Sequence, residues 1–207
     1  MSNAIILAAA AAVIVLIIGA VLYFKKRTGE EDAPEKAAGK KGEEIAGDVI
    51  RCALKRDDLH LSNISVHYLD QETELDNVVI NSNGVFIIEV KNYAGKLKGR
   101  ADDREWYKEK TTEKGNTYAK TVRNPIGQVK RQTYILSKYL TQNKVRAWVR
   151  GYVYLVQNNS PVKSAYVLPY IKDIEKAVHT PTKRKLPKQT QEKIKNLLEM
   201  DQRRNAR

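Results

Sequence analysis

The chain has 207 residues, with 37 lysines and arginines against 24 aspartates and glutamates, a formal net charge of +13. A single cysteine, Cys52, excludes an internal disulfide, and with only three scattered histidines (His60, His67, His179) it leaves no zinc-ligand spacing. Such an excess of cations fits a polyanionic partner, nucleic acid or anionic lipid, and argues against an acidic surface.

In chain order, residues 4 to 24 are without charge, and Lys25, Lys26 and Arg27 follow at once. At about 1.5 Å per residue a helix of that length reaches roughly 30 Å, one hydrocarbon core. The charges follow the apolar run instead of preceding it, which argues against a cleaved secretory signal. The expectation is a single-pass anchor with its basic flank over residues 1–27 and its C-terminal side cytoplasmic. Residues 28–38 are charged, small and aperiodic, and read as a linker. Across 25–38 the four cations (Lys25, Lys26, Arg27, Lys36) balance four acids (Glu30, Glu31, Asp32, Glu35), so the +13 belongs to residues 39–207.

From Gly42 to Leu54, Ile45, Val49, Ile50, Ala53 and Leu54 recur at helical spacing, with Glu43 and Glu44 in the first turn where the helix dipole favours them. Cys52 is expected to pack among the apolar residues of this helix. A strand follows near 61–68. Two more, 75–81 and 85–92, are joined by Ser82-Asn83-Gly84, a strong hairpin signal. Gly95 and Gly99 mark turns, Trp106-Tyr107 suggests a short strand, and the polar residues 109–121 read as an exposed loop or hairpin tip. Asn124-Pro125 opens a helix, since asparagine caps well and proline is tolerated at the first helical position. Residues 148–156 read as a buried or half-buried strand and 166–168 as a shorter one. Small helices are expected over 173–178 and 189–200, then a basic tail over 201–207. The order gives a mixed α/β domain with one core.

Chemistry concentrates in the hairpin. Side chains two apart on a strand share a face, so Glu89 and Lys91 project together, and the turn brings Asp76 within reach. Taken alone, Glu-x-Lys on a strand is usually a solvated ion pair. Here the preceding Val85-Phe86-Ile87-Ile88 is apolar on both faces, and a charged pair closing a buried strand is costly without a partner or a task. Two carboxylates beside an ammonium suit a divalent cation next to a phosphodiester. Gln128, on the helix opened by Asn124-Pro125, is either a ligand-side hydrogen-bonder or a plain surface residue.

These residues resemble the nuclease-related domain (NERD) family. The likeness runs over roughly residues 39–140: Gly39-x-x-Gly42-Glu43, Glu74-Leu75-Asp76-Asn77-Val78-Val79-Ile80, Asn83-Gly84-Val85-Phe86, Glu89-Val90-Lys91-Asn92-Tyr93-x-Gly95, Trp106 and Asn124-Pro125-x-x-Gln128. The family is grouped with the restriction-endonuclease-like superfamily, whose core is Asp…(Asp/Glu)-x-Lys. The resemblance implies a mixed central sheet flanked by helices over residues 39–200 and phosphodiester hydrolysis with Mg²⁺ or Mn²⁺. It implies Asp76 and Glu89 as metal ligands and Lys91 as the residue orienting the attacking water. It also implies Glu43 as a completing carboxylate, with Glu44 its competitor, and Gln128 as a supporting polar residue. The expected polymer is DNA ahead of RNA. Arg123, Lys183, Arg184 and Lys185 are candidates for holding its backbone, and the run 183–188 with Arg203, Arg204 and Arg207 could instead lie against anionic lipid. Tyr93, Tyr107 and Tyr118 are candidates for base stacking, though packing explains each more simply. The alternative from another class is a non-catalytic nucleic-acid-binding or scaffold module tethered to a membrane.

Overall fold

The computed structural model describes residues 47–205 apart from 112–114 and 116. The expected anchor, the linker and both candidate helix carboxylates, Glu43 and Glu44, lie outside the described residues. Among those described, no helix is long and apolar enough to cross a membrane.

A helix over residues 47–53 (α1) leads into three antiparallel strands: β1 (Leu59–Tyr68), β2 (Gln71–Asn81) and β3 (Gly84–Lys91). The chain then leaves the sheet for a separate three-stranded meander of β4 (Lys96–Lys98), β5 (Glu105–Thr111) and β6 (Thr117–Arg123). It returns through α2 (Pro125–Gln142) to β7 (Val149–Leu155), which lies parallel to β3, and then β8 (Val167–Leu168), parallel to β7. Helices α3 (Ile171–His179) and α4 (Lys188–Asn205) close the chain. The central sheet has the order β1-β2-β3-β7-β8. It is mixed, as expected.

Alternation along the strands splits the core into two layers. Val85 and Ile87 of β3, with Val78 and Ile80 of β2 and Val153 and Leu155 of β7, pack in the cluster that holds Ile126, Val129, Ile135 and Leu136 of α2 and Ile194 and Leu198 of α4. Val79, Phe86, Ile88, Val90, Tyr152 and Tyr154 point the other way, into a cluster with Ile50 and Ala53 of α1 and Ile174 and Val178 of α3. β3 is therefore covered on both faces, which explains its unbroken apolar run.

One glycine sets how closely α2 approaches. A Cβ on Gly151 would overlap Thr133 Oγ1 and sit 2.6 Å from Val129 Cγ2, so only a residue without a side chain lets the helix lie this near β7. At the N-terminus of the helix, Asn124 Oδ1 accepts from the Ile126 amide at 2.9 Å. Its Nδ2 donates to the Ala101 and Asp103 carbonyls at 3.1 and 2.7 Å. One buried side chain thus caps α2 and holds the loop before β5.

Three local readings are refined. Residues 109–121, expected as an exposed loop or hairpin tip, are the hairpin: β5 and β6 pair in register from Glu105↔Arg123 to Thr111↔Thr117. The polarity that suggested a loop reflects a sheet exposed on β6. Cys52 is exposed and does not pack as expected. Ile50 and Ala53 take the buried stripe of α1, and a position two residues from Ile50 falls about 200° around the helix. The expected tail is helical as far as Asn205.

Candidate active site

The β2–β3 ladder pairs Asn81↔Gly84 through Val78↔Ile87 and then stops. Extending that register places Asp76 across from Glu89, on the face shared with Val78 and Ile87. Where the ladder ends, the Asp76 side chain continues it: Oδ2 accepts from the Val90 amide at 3.1 Å. Asp76 and Glu89 are close enough for the Glu89 charge to act directly on the Asp76 carboxyl. β3 pairs with β7 as far as Lys91↔Leu155, and the Val156 amide donates to the Lys91 carbonyl at 3.0 Å, so Glu89 and Lys91 stand on a strand fixed from both sides.

Glu89 is fully buried. Its Oε1 accepts from Gln128 Nε2 at 2.6 Å and pairs with the Lys91 ammonium, and its Oε2 accepts from Gln132 Nε2 at 2.6 Å. Gln132 Nε2 also donates to the Glu74 carbonyl at 2.9 Å, so it ties the splayed end of β2 to β3. Gln132 Oε1 is buried and has no partner. Charge-assisted bonds of this kind are short and roughly twice as strong as neutral ones, and together they compensate a carboxylate taken wholly out of water.

The electrostatics follow from this crowding. Burial and the neighbouring Glu89 charge push the Asp76 carboxyl up to about 7, against the opposing pull of Lys91 and the Val90 amide. Burial alone would lower the Lys91 ammonium, but Glu89 and Asp76 outweigh it and its pKa rises. Burial raises the Tyr93 phenol, whose hydroxyl donates to the Arg123 carbonyl at 3.3 Å. Asn159 Nδ2 donates to the Tyr93 and Gly95 carbonyls, both at 2.7 Å, and steadies the loop that leaves the site.

Asp76, Glu89, Lys91 and Gln128 thus come together, and Arg123 lies within reach through Tyr93. Lys183, Arg184 and Lys185 do not join them. Lys185 Nζ donates to Asn83 Oδ1 at 2.6 Å, and the Leu186 amide donates to the Ser82 carbonyl, which puts this basic run at the opposite end of β3. Six strand steps separate Asn83 from Glu89, roughly 20 Å. Tyr107 and Tyr118 are exposed on the β4–β6 meander.

Sequence reasoning missed Gln132. It lies four residues after Gln128, one helical turn on, so both amides project from the same face of α2. That spacing was the available signal.

Two adjacent carboxylates supply hard oxygen donors, and a cation between them would offset the burial and the Glu89 charge that together raise Asp76. Among the described residues no group of three His, Cys, Asp or Glu side chains comes together. A magnesium-like ion needs only one or two carboxylates beside water and phosphate oxygens, so the donor set fits.

The sequence model of the family described as "Nuclease-related domain" matches residues 38–156, more than half of the chain. No curated protein and no solved structure matches the chain.

Proposed function

The chain belongs to the nuclease-related domain family, and on that premise we propose that it is a metal-dependent nuclease that hydrolyses phosphodiester bonds. The observation that carries this reading is Glu89. A fully buried carboxylate is held by two glutamine amides and an ammonium, directly beside a second carboxylate that burial and charge hold near neutrality. A structural ion pair does not need such a setting, and replacing one with apolar residues is often neutral or stabilising. Perturbed carboxylates of this sort cluster at working sites.

Asp76 and Glu89 are the residues that would hold Mg²⁺ or Mn²⁺. When bound, such an ion lowers the pKa of a water and offsets charge on phosphoryl oxygens. Lys91, half-buried and paired to Glu89, keeps its proton and presents a fixed positive charge to a phosphate and to the attacking water. Gln128 and Gln132 hold the Glu89 carboxylate in one orientation, so its position is set before substrate arrives. By resemblance, Glu43 (or Glu44) adds a further carboxylate. The chain is proposed to act from a membrane, through residues 4–24, on its cytoplasmic side. DNA is the favoured polymer and RNA the alternative.

The test is cleavage of plasmid and single-stranded substrates by the full chain with Mg²⁺ or Mn²⁺, beside Asp76→Ala and Lys91→Ala. Equal activity in all three proteins rejects the site assignment. One observation favours a second reading, a non-catalytic nucleic-acid-binding or scaffold module: both Glu89 oxygens already accept hydrogen bonds from the chain itself. That reading expects salt-sensitive binding, no turnover and indifference to chelator.

A further inference from the structure

The end of the central sheet remote from Glu89 carries a second concentration of charge. The β2–β3 turn is bracketed from both sides. The Val85 amide donates to the Trp148 carbonyl at 2.8 Å, while the Leu186 amide donates to the Ser82 carbonyl at 2.7 Å and Lys185 reaches Asn83. These bonds bring two segments distant in sequence to one edge. Residues 143–151 contain Lys144, Arg146 and Arg150 and no acid. Residues 176–191 contain Lys176, Lys183, Arg184, Lys185 and Lys188 and no acid. The first segment also holds Trp148, 58% exposed, with the Arg150 guanidinium 5.9 Å from its ring centre.

We propose that this edge, Trp148 with Arg150, Lys183, Arg184, Lys185 and Lys188, is a docking surface for an anionic lipid bilayer. Lysines and arginines gain from the negative surface potential of such a membrane, and tryptophan is the side chain most at home at the headgroup level. The candidate nucleic-acid site lies roughly 20 Å away along β3. The reading of residues 4–24 as an anchor supplies the remaining argument. Residues 28–38, read as a linker, would join that anchor to the domain. A high effective concentration there makes even a weak surface sufficient. Docked in this way, the C-terminal end of β3 with Asp76, Glu89 and Lys91 faces away from the lipid. The proposal rests on the anchor reading and not on catalysis.

The experiment uses the full chain reconstituted into vesicles of phosphatidylcholine alone or mixed with phosphatidylglycerol. Of the two tryptophans, Trp106 is fully buried, so the emission difference between the parent and Trp148→Phe isolates Trp148. The expected result is a blue shift of Trp148 with the anionic vesicles only, reversed by high salt. The double variant Lys183→Gln/Arg184→Gln removes two cations at exposed positions. It should need roughly 5-fold more anionic lipid per cation removed to reach the same shift. No response to anionic vesicles, or an equal response to neutral ones, overturns the proposal. A Trp148 response to a single-stranded oligonucleotide without one to anionic lipid overturns it in favour of a nucleic-acid surface. Failure of the parent to float with neutral vesicles overturns it at its premise, the anchor, and leaves the nuclease assay unaffected.

Discussion

Gln132 Nε2 lies 2.6 Å from Glu89 Oε2 and donates at the same time to the backbone carbonyl of Glu74. This one amide joins the third turn of α2 to the buried carboxylate and to the strand that carries Asp76. Removing it leaves a buried carboxylate oxygen and a carbonyl short of a donor. Gln132→Leu should cost about 2–4 kcal/mol in chemical denaturation, from two lost bonds at about 1–2 kcal/mol each. Gln128→Ala should cost less, since Lys91 still serves Glu89 Oε1. Equal losses for the two would refute the bridging role assigned to Gln132.

Lys91 and Glu89 are not interchangeable in their failures. Lys91→Ala strands a fully buried carboxylate with only two amide donors, and breaking such a pair costs about 3 kcal/mol or more. Lys91→Met with Glu89→Gln removes both charges, and should recover most of that stability while leaving no cleavage activity. Thermal unfolding of the single and double variants decides the matter. A double variant no more stable than Lys91→Ala would mean that the pair is not an isolated charge couple.

Asp76 gives the metal-free protein a specific pH dependence. Its carboxyl stands at about 7 against an ordinary 3.8, so the fold favours the protonated form. The contribution is fully present below about 4 and is lost as pH rises towards 7. In chelator, therefore, Asp76→Asn should gain stability over the parent as pH rises from 5 to 8. The difference should stay below the roughly 4 kcal/mol that the full shift sets as a ceiling. The same proton competes with a divalent cation, so added Mg²⁺ or Mn²⁺ should stabilise the parent more at pH 8 than at pH 6. A variant that tracks the parent at every pH would mean that burial and the Glu89 charge do not raise the Asp76 carboxyl.

The Asp76, Glu89 and Lys91 grouping was legible because it is local: a hairpin signal and a two-residue strand period fix which side chains meet. The Asn124 cap was legible for the same reason. Gln132 was not, since its function depends on which face of α2 meets β3, and that is decided by packing at Gly151. The β4–β6 meander was obscured because its exposed strands lack the apolar alternation that marks a half-buried sheet. The separation of Lys183–Lys185 from the site could not be read either. It follows from hydrogen bonds between residues about a hundred apart, as in Lys185 with Asn83.

Gly151 offers a test of how the site depends on that packing. Its backbone lies against Val129 and Thr133, one turn apart on α2 and interleaved with Gln128 and Gln132. A methyl group here has no free space, and overpacking of this kind costs about 1–3 kcal/mol. Gly151→Ala should lower the melting temperature, and it should also reduce cleavage, because lifting α2 draws both amides from Glu89. Replacing Thr133 by Ala in the same chain removes the closest clash, Thr133 Oγ1, and should restore part of both properties. If stability falls while activity is unchanged, α2 yields without moving the glutamines, and Glu89 does not depend on the helix for its orientation.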